Sequence, residues 1–207
     1  MAIHSIVALL TSPTSVPSMS QPKHRPATYA DIEALPPHVT GEILFGVLHS
    51  YRRPAPKHAY AVGILQAELG ASFGHRKLGT RGCLFLRESE LHLGPHYIVP
   101  DIAGWRFERL PKLPKTAFIE TPPDWVCEVM SPSTRRKDRT DKLTIYATFG
   151  VGHCWYVDPS LQTLEVFALT GGKWLLTATF NDADPVCAPP FEAHTFELDV
   201  LWAEEEG

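Results

Sequence analysis

Two acidic residues stand where apolar ones are expected. In "YIVPDIAGW" (residues 97–105), strict alternation puts Asp101 on one face with Val99, Ala103 and Trp105. In "DWVCEVM" (residues 124–130), Glu128 shares a face with Val126 and Met130, opposite Trp125, Cys127 and Val129. An unpaired charge in such surroundings is expensive, so a cation or a catalytic task is expected to compensate it. One explanation covers both positions: adjacent strands bring the two carboxylates to a shared divalent metal. The next segment, "SPSTRRKDRTDKLTIYATFG" (residues 131–150), supplies cations. Asp138 and Lys142 lie four apart on one helical face, Tyr146 follows a turn later, and Arg135 and Arg136 fall at the helix entrance. Hard oxygen ligands, an ammonium and a rim of guanidinium groups are the equipment of phosphodiester hydrolysis. A metal lowers the pKa of bound water and neutralises phosphate charge, while Lys142 orients the nucleophile or stabilises the transition state. Arg135 and Arg136 are placed to clasp flanking phosphates.

The elements that must position these residues are legible in outline. "TYADIEALP" reads as a short helix with Thr28 as its N-cap. "GEILFGVLHSY" reads as a hairpin around Gly46. A longer helix follows "RRPAP", with Ala61, Ile64, Leu65, Glu68 and Leu69 at helical spacing and Gly70 or Gly74 as its stop. Strands are expected at "CLFLRE", "ELHL", "YIVPDIAGWRF", "DWVCEVM" and "HCWYVD", with a helix from about Arg136 to Phe149 between the last two. Ser133 or Thr134 is its expected cap. "TLEVFALTGGKWLLTATF" is a hairpin turned by Gly171-Gly172. This order predicts an α/β or α+β domain built on one central mixed sheet flanked by helices.

Composition bounds the rest. The 207 residues, 44% hydrophobic, suffice for one full core. Residues 1–26 read as a flexible tail, with Met19 as an alternative to Met1 as natural start, residues 27–203 as the single domain and 204–207 as an acidic tail. The net charge of −4 hides an asymmetry, because no Lys or Arg follows Lys173 while residues 181–207 hold acids at Asp182, Asp184, Glu192, Glu197, Asp199 and Glu204 to Glu206. The body of the chain is therefore mildly basic, which is compatible with a polyanionic partner. Cys83, Cys127, Cys154 and Cys187 are widely spaced within apolar runs and read as reduced, buried thiols of a cytoplasmic protein. No apolar run approaches the roughly 20 residues of a membrane span, and the opening segment lacks the cationic start of a secretory signal.

With these residues in view, "VPDIAGW" followed by "PPDWVCEVMSPSTRRKDRTDKLTIYATFGVGHCWYVDP" resembles the Uma-type restriction endonucleases, a group within the PD-(D/E)XK nuclease superfamily. The resemblance runs from about Tyr29 to Trp202 and includes "TGEILFGVLHSYRRPAPKHA". It implies a restriction-endonuclease-like core with magnesium, or manganese as a substitute, at its acidic end. By this similarity Asp101 is the motif aspartate, Glu128 the motif glutamate, and the Val129 carbonyl a further metal ligand. The superfamily pattern has a lysine two residues after the glutamate, where this chain has Met130. Lys142 is the natural substitute. Glu42 in "GEILFG" matches another acidic position of the family, with a metal or water contact and a strand-end hydrogen bond both open to it. His58 falls where it can touch substrate. The implied partner is nucleic acid, expected to be double-stranded DNA, and double-strand cleavage suits a homodimer.

Each choice has a plainer reading. Asp101 follows Pro100 and can cap a turn or bulge. Glu128 can salt-bridge Arg135 or Lys142, Lys142 can simply pair with Asp138, and Tyr146 reads more readily as core than as chemistry. "RRKDR" can be a solvated face, and His58 a polar residue at a helix start. Nucleophile-elbow, Walker, His-Glu-x-x-His, dinucleotide and zinc-finger signatures are all missing. Two other classes stand beside the metal-dependent endonuclease: a non-catalytic nucleic-acid-binding or regulatory protein with the same fold, and a self-associating module using the last hairpin with Trp174 and Trp202.

Overall fold

The computed structural model describes residues 25–51, 54–75, 82–131 and 135–204. The expectations about Met1, Met19, Ser133 and Thr134 lie outside them. Its centre is a six-stranded mixed sheet in the order β11-β10-β9-β8-β6-β3. These strands are β3 (Cys83–Arg87), β6 (Ile102–Arg106), β8 (Trp125–Val129), β9 (His153–Asp158), β10 (Thr163–Thr170) and β11 (Lys173–Asn181). β8 and β9 run parallel and every other neighbouring pair antiparallel. A parallel neighbour cannot be reached by a tight turn, so the chain crosses over through a helical segment between them. That segment is the one rich in cations.

The hairpins form a second, five-stranded sheet in the order β2-β1-β5-β4-β7. It comprises β1 (Thr40–Leu44), β2 (Val47–Tyr51), β4 (Glu90–Leu93), β5 (His96–Ile98) and β7 (Phe118–Ile119). The stretch "YIVPDIAGWRF", expected as one strand, is therefore two. It breaks at Val99, Pro100 and Asp101, so that β5 joins the second sheet and β6 the central one. Proline cannot donate to a ladder, and here it marks the point where the chain changes sheets. The break puts Asp101 at the start of a strand rather than in its middle.

Two apolar layers sandwich the central sheet. On one face, helix α2 (Pro56–Phe73) buries Ala61, Val62, Leu65, Leu69 and Phe73 against Trp125, Cys127 and Val129 of β8. On the other, helix α4 (Leu143–Thr148) places Ile145 and Tyr146 with Val126 and Met130, next to Leu44, Leu91 and Ile98 of the second sheet. The alternation read from "DWVCEVM" is thus the observed one, and all five β8 residues are buried. α2 runs past Gly70 and stops at Gly74. A short helix, α1 (Tyr29–Glu33), begins after Thr28, whose amide donates to the Asp31 carboxylate at 2.7 Å. The four thiols are free, but only Cys127 and Cys154 are buried. Cys83 is half-buried and Cys187 exposed, contrary to the expectation of four buried thiols. Among the described residues no helix is long and apolar enough to cross a membrane.

Candidate functional site

The site lies where the C-terminal end of β8, the start of β6, strand β1 and the crossover meet. The crossover is not one regular helix. It opens as α3 (Arg135–Lys137), widens into a π-helical turn over Asp138–Lys142, and tightens again into α4. π-Helical turns are rare, and those that occur are frequently at functional sites. The Asp138 and Lys142 side chains are almost wholly buried.

Lys142 is the hub. Its ammonium lies 2.9 Å from Glu42 Oε1, 3.2 Å from Glu128 Oε2 and 3.6 Å from Asp138 Oδ1, and donates to the Val99 carbonyl at 3.2 Å. Tyr146, one turn along the helix, donates its hydroxyl to Glu128 Oε1 at 2.5 Å. Glu42 Oε1 accepts the Val99 amide at 2.8 Å, so one carboxylate fastens β1 to the sheet-changing linker. Glu42 Oε2 is buried, and the Tyr51 hydroxyl is the side-chain donor near that carboxylate. Three carboxylates thus surround a single ammonium, all four side chains almost wholly buried.

The electrostatics follow from that excess. Burial pushes the Glu128 carboxyl well above its ordinary range; Lys142 opposes this, while Asp138, Asp101 and Glu42 reinforce it. Burial alone would lower the Lys142 pKa, but the charges of Glu128, Glu42 and Asp138 outweigh it and hold the ammonium protonated. Burial and the Glu128 charge likewise keep the Tyr146 hydroxyl protonated as a donor. One ammonium does not balance the cluster, which therefore favours taking up a further positive charge, a proton or a metal cation.

Asp101 is oriented differently. Its Oδ2 accepts the Val129 amide at 2.7 Å and lies 3.2 Å from His58 Nε2, in the first turn of α2. At 20% exposure its side chain is open to solvent where Glu128, at 2%, is not. Burial would lower the His58 pKa, yet the Asp101 hydrogen bond and charge, with the Val129 backbone, outweigh it and raise it. His58 is thus not a bare surface residue. Asp101 and Glu128 stand at the ends of adjacent strands, and the Asp101 charge helps raise the Glu128 pKa, but they bind different partners. Among the described residues, no three His, Cys, Asp or Glu side chains are placed to grip one metal ion.

The rim cations have partners of their own. Arg135 is ion-paired with Asp158 at the end of β9, Arg139 with Glu165 of β10, and Arg136 is exposed. Lys137 sits 4.8 Å from the Tyr51 ring centre and donates to its hydroxyl at 3.4 Å. Tyr51 itself is driven toward the protonated form by burial and then by the Glu42 charge. Sequence reasoning missed Tyr51; its reading of Tyr146 as core holds, and the buried hydroxyl bonds Glu128 as well. For Tyr146 the signal was present, since it lies four residues after Lys142; Tyr51 had none, because only the β1–β2 register carries it to the site.

The model of the Uma2 family, described as "Putative restriction endonuclease", matches residues 26–201. The chain belongs to the Uma2 family. The fold has a solved counterpart, the crystal structure of a "putative nuclease belonging to DUF820" from Anabaena variabilis. It superposes with a TM-score of 0.68 at 21% sequence identity, covering 85% of this chain and 98% of that one. No curated protein matches. In this Uma2 protein, all the acidic and basic residues of the lysine cluster fall within the matched span.

Proposed function

We infer that this Uma2 protein is a metal-dependent endonuclease that hydrolyses phosphodiester bonds, with DNA as substrate. The observation that carries the reading is the buried excess of carboxylate around Lys142. Hard oxygen donors with uncompensated charge are the donor set that magnesium or manganese takes. Asp101 and Glu128 would hold the ion, with the Val129 carbonyl beside them and Glu42 and Asp138 supplying further negative charge. When bound, such an ion activates water and neutralises phosphate charge.

The chain's own residues supply the remainder. Lys142 stays cationic and presents an ammonium to the developing negative charge. Tyr146 holds Glu128 in one orientation. Val129 N–H and His58 fix Asp101. His58, Arg136 and Arg135 are the groups that would contact flanking phosphates and position the substrate. The family description and the mixed-sheet nuclease-like fold support this reading.

The experiment is a cleavage assay on DNA and RNA substrates, with and without divalent cations, using wild type and Glu128→Ala. Cleavage of DNA that requires magnesium or manganese and disappears in the variant is expected. Binding without cleavage under every cation would favour a non-catalytic nucleic-acid-binding protein instead.

A further inference from the structure

The central sheet has a second end. Opposite the candidate site, β6 finishes on Arg106 while β8 and β9 begin at Trp125 and His153. Register puts these residues on one face. Cys83 pairs with Arg106, Gly104 with both Phe85 and Trp125, and Trp125 with His153, so all stand on the side that α2 covers. Between this row, Phe73 at the end of α2, and the segment from Pro190 to Ala193 lies a cavity of about 500 Å³. Pockets for small molecules have this size. Part of its wall is bare backbone, at Gly104, Gly150 and Gly152. A Cβ added at Gly152 would meet only the Asp124 carbonyl, at 3.4 Å, so a larger side chain there has the cavity to fill.

The wall holds a donor that the fold leaves unmet. The indole N–H groups of Trp105, Trp155, Trp174 and Trp202 donate to the carbonyls of Thr121, Pro189, Leu143 and Asp182. That of Trp125, which is buried, has no acceptor among the described residues. A buried donor without a partner is costly and rare. The same wall is aromatic: the Trp125 and Phe73 rings lie 5.2 Å and 5.1 Å from that of Phe191. Its charges are balanced. Arg109 is paired with Asp124 at 3.2 Å, while the ion pair of Arg106 with Glu108 is stretched to 4.0 Å, and Glu192 is exposed at the rim. His153 feels both remaining charges. Burial lowers its pKa, Arg106 adds to this and Glu192 opposes it, so the imidazole is neutral and offers one donor and one acceptor. A hydrocarbon would leave these polar groups unmet, and an anion would face Glu192. An uncharged flat ring with acceptors and donors along its edge satisfies them.

We propose that this cavity is a nucleoside-binding site, in which the base packs against Trp125 and Phe191, turns its acceptors to Trp125 Nε1 and Arg106, and turns its donors to Glu192. It lies at the other end of β8 from Glu128, and neither the proposal nor its test depends on the catalytic reading. Titration calorimetry of the full chain with inosine, adenosine and cytidine, each up to millimolar concentration, is expected to show saturable binding of at least one. For that nucleoside, Arg106→Gln is expected to weaken binding about tenfold or more. Gly152→Leu, which fills the cavity, is expected to abolish it, and Asp101→Ala to bind as wild type does. Cys83 also lines the cavity, so its alkylation by iodoacetamide, followed by peptide mass mapping, is expected to slow when nucleoside is bound. Thermal unfolding identifies any variant that fails to fold. Arg106 is half exposed, so its variant keeps the test decisive even if Gly152→Leu does not fold. No saturable binding of any of the three, or undiminished binding in folded Arg106→Gln, would overturn the proposal. So would unchanged Cys83 alkylation, or free tryptophan binding more tightly than every nucleoside. Loss of binding in folded Asp101→Ala would place the nucleoside at the other end of the sheet and overturn it too.

Discussion

The two acidic centres of the site are built on opposite principles. Around Lys142, Glu42, Glu128 and Asp138 are almost wholly buried, and each is ion-paired with the same ammonium. Around Asp101, a half-open carboxylate rests on one backbone amide and one imidazole. In the buried centre, charge is costly to remove, because each partner left behind is a buried unpaired group. In the open one, water can replace what is lost. The difference teaches that stability and chemistry are coupled around Lys142 and largely separate at Asp101.

The largest expected effect is on turnover. Asp101→Ala and Glu128→Ala are each expected to bring metal-dependent cleavage to background, and circular dichroism is expected to show the fold retained in the Asp101 variant. Retained cleavage in either would separate that centre from the chemistry. Lys142→Ala comes next. It leaves three buried carboxylates facing one another, and a loss of about 3–5 kcal/mol in urea-unfolding free energy is expected. In whatever folds, the chemical step is expected to slow by about 10²-fold or more under single-turnover conditions. If Lys142→Ala proved no more destabilising than Asp101→Ala, the contrast between the centres would fail.

How far this was legible in the sequence follows the same line. The β8 alternation located Glu128, and the i,i+4 spacing joined Lys142 to Asp138, because both are local patterns. Asp101 was found by its neighbours, but its surroundings were misjudged, since the chain changes sheets at Pro100 and the expected continuous strand does not exist. Glu42 was reached only by resemblance. Its contact with Lys142 spans a hundred residues, and no local period encodes it. The π-helical turn was likewise invisible, because no residue pattern in the sequence marks it and its Lys142 contacts are to distant strands.

Two smaller effects sharpen the comparison. Tyr146→Phe deletes the hydroxyl that donates to Glu128 and is expected to cost about 1–3 kcal/mol, read by thermal or urea unfolding. His58→Ala removes one of two supports of Asp101 and is expected to cost about 1 kcal/mol or less. A larger loss for His58→Ala than for Tyr146→Phe would mean that the open centre, not the buried one, holds this end of the sheet together.

The account rests on buried carboxylate charge that Lys142 cannot balance alone, and titration calorimetry with magnesium and manganese addresses it most directly. Wild type is expected to bind the ions, and Glu128→Ala and Asp101→Ala to lose most of that binding while remaining folded. Undiminished binding in both folded variants would contradict it.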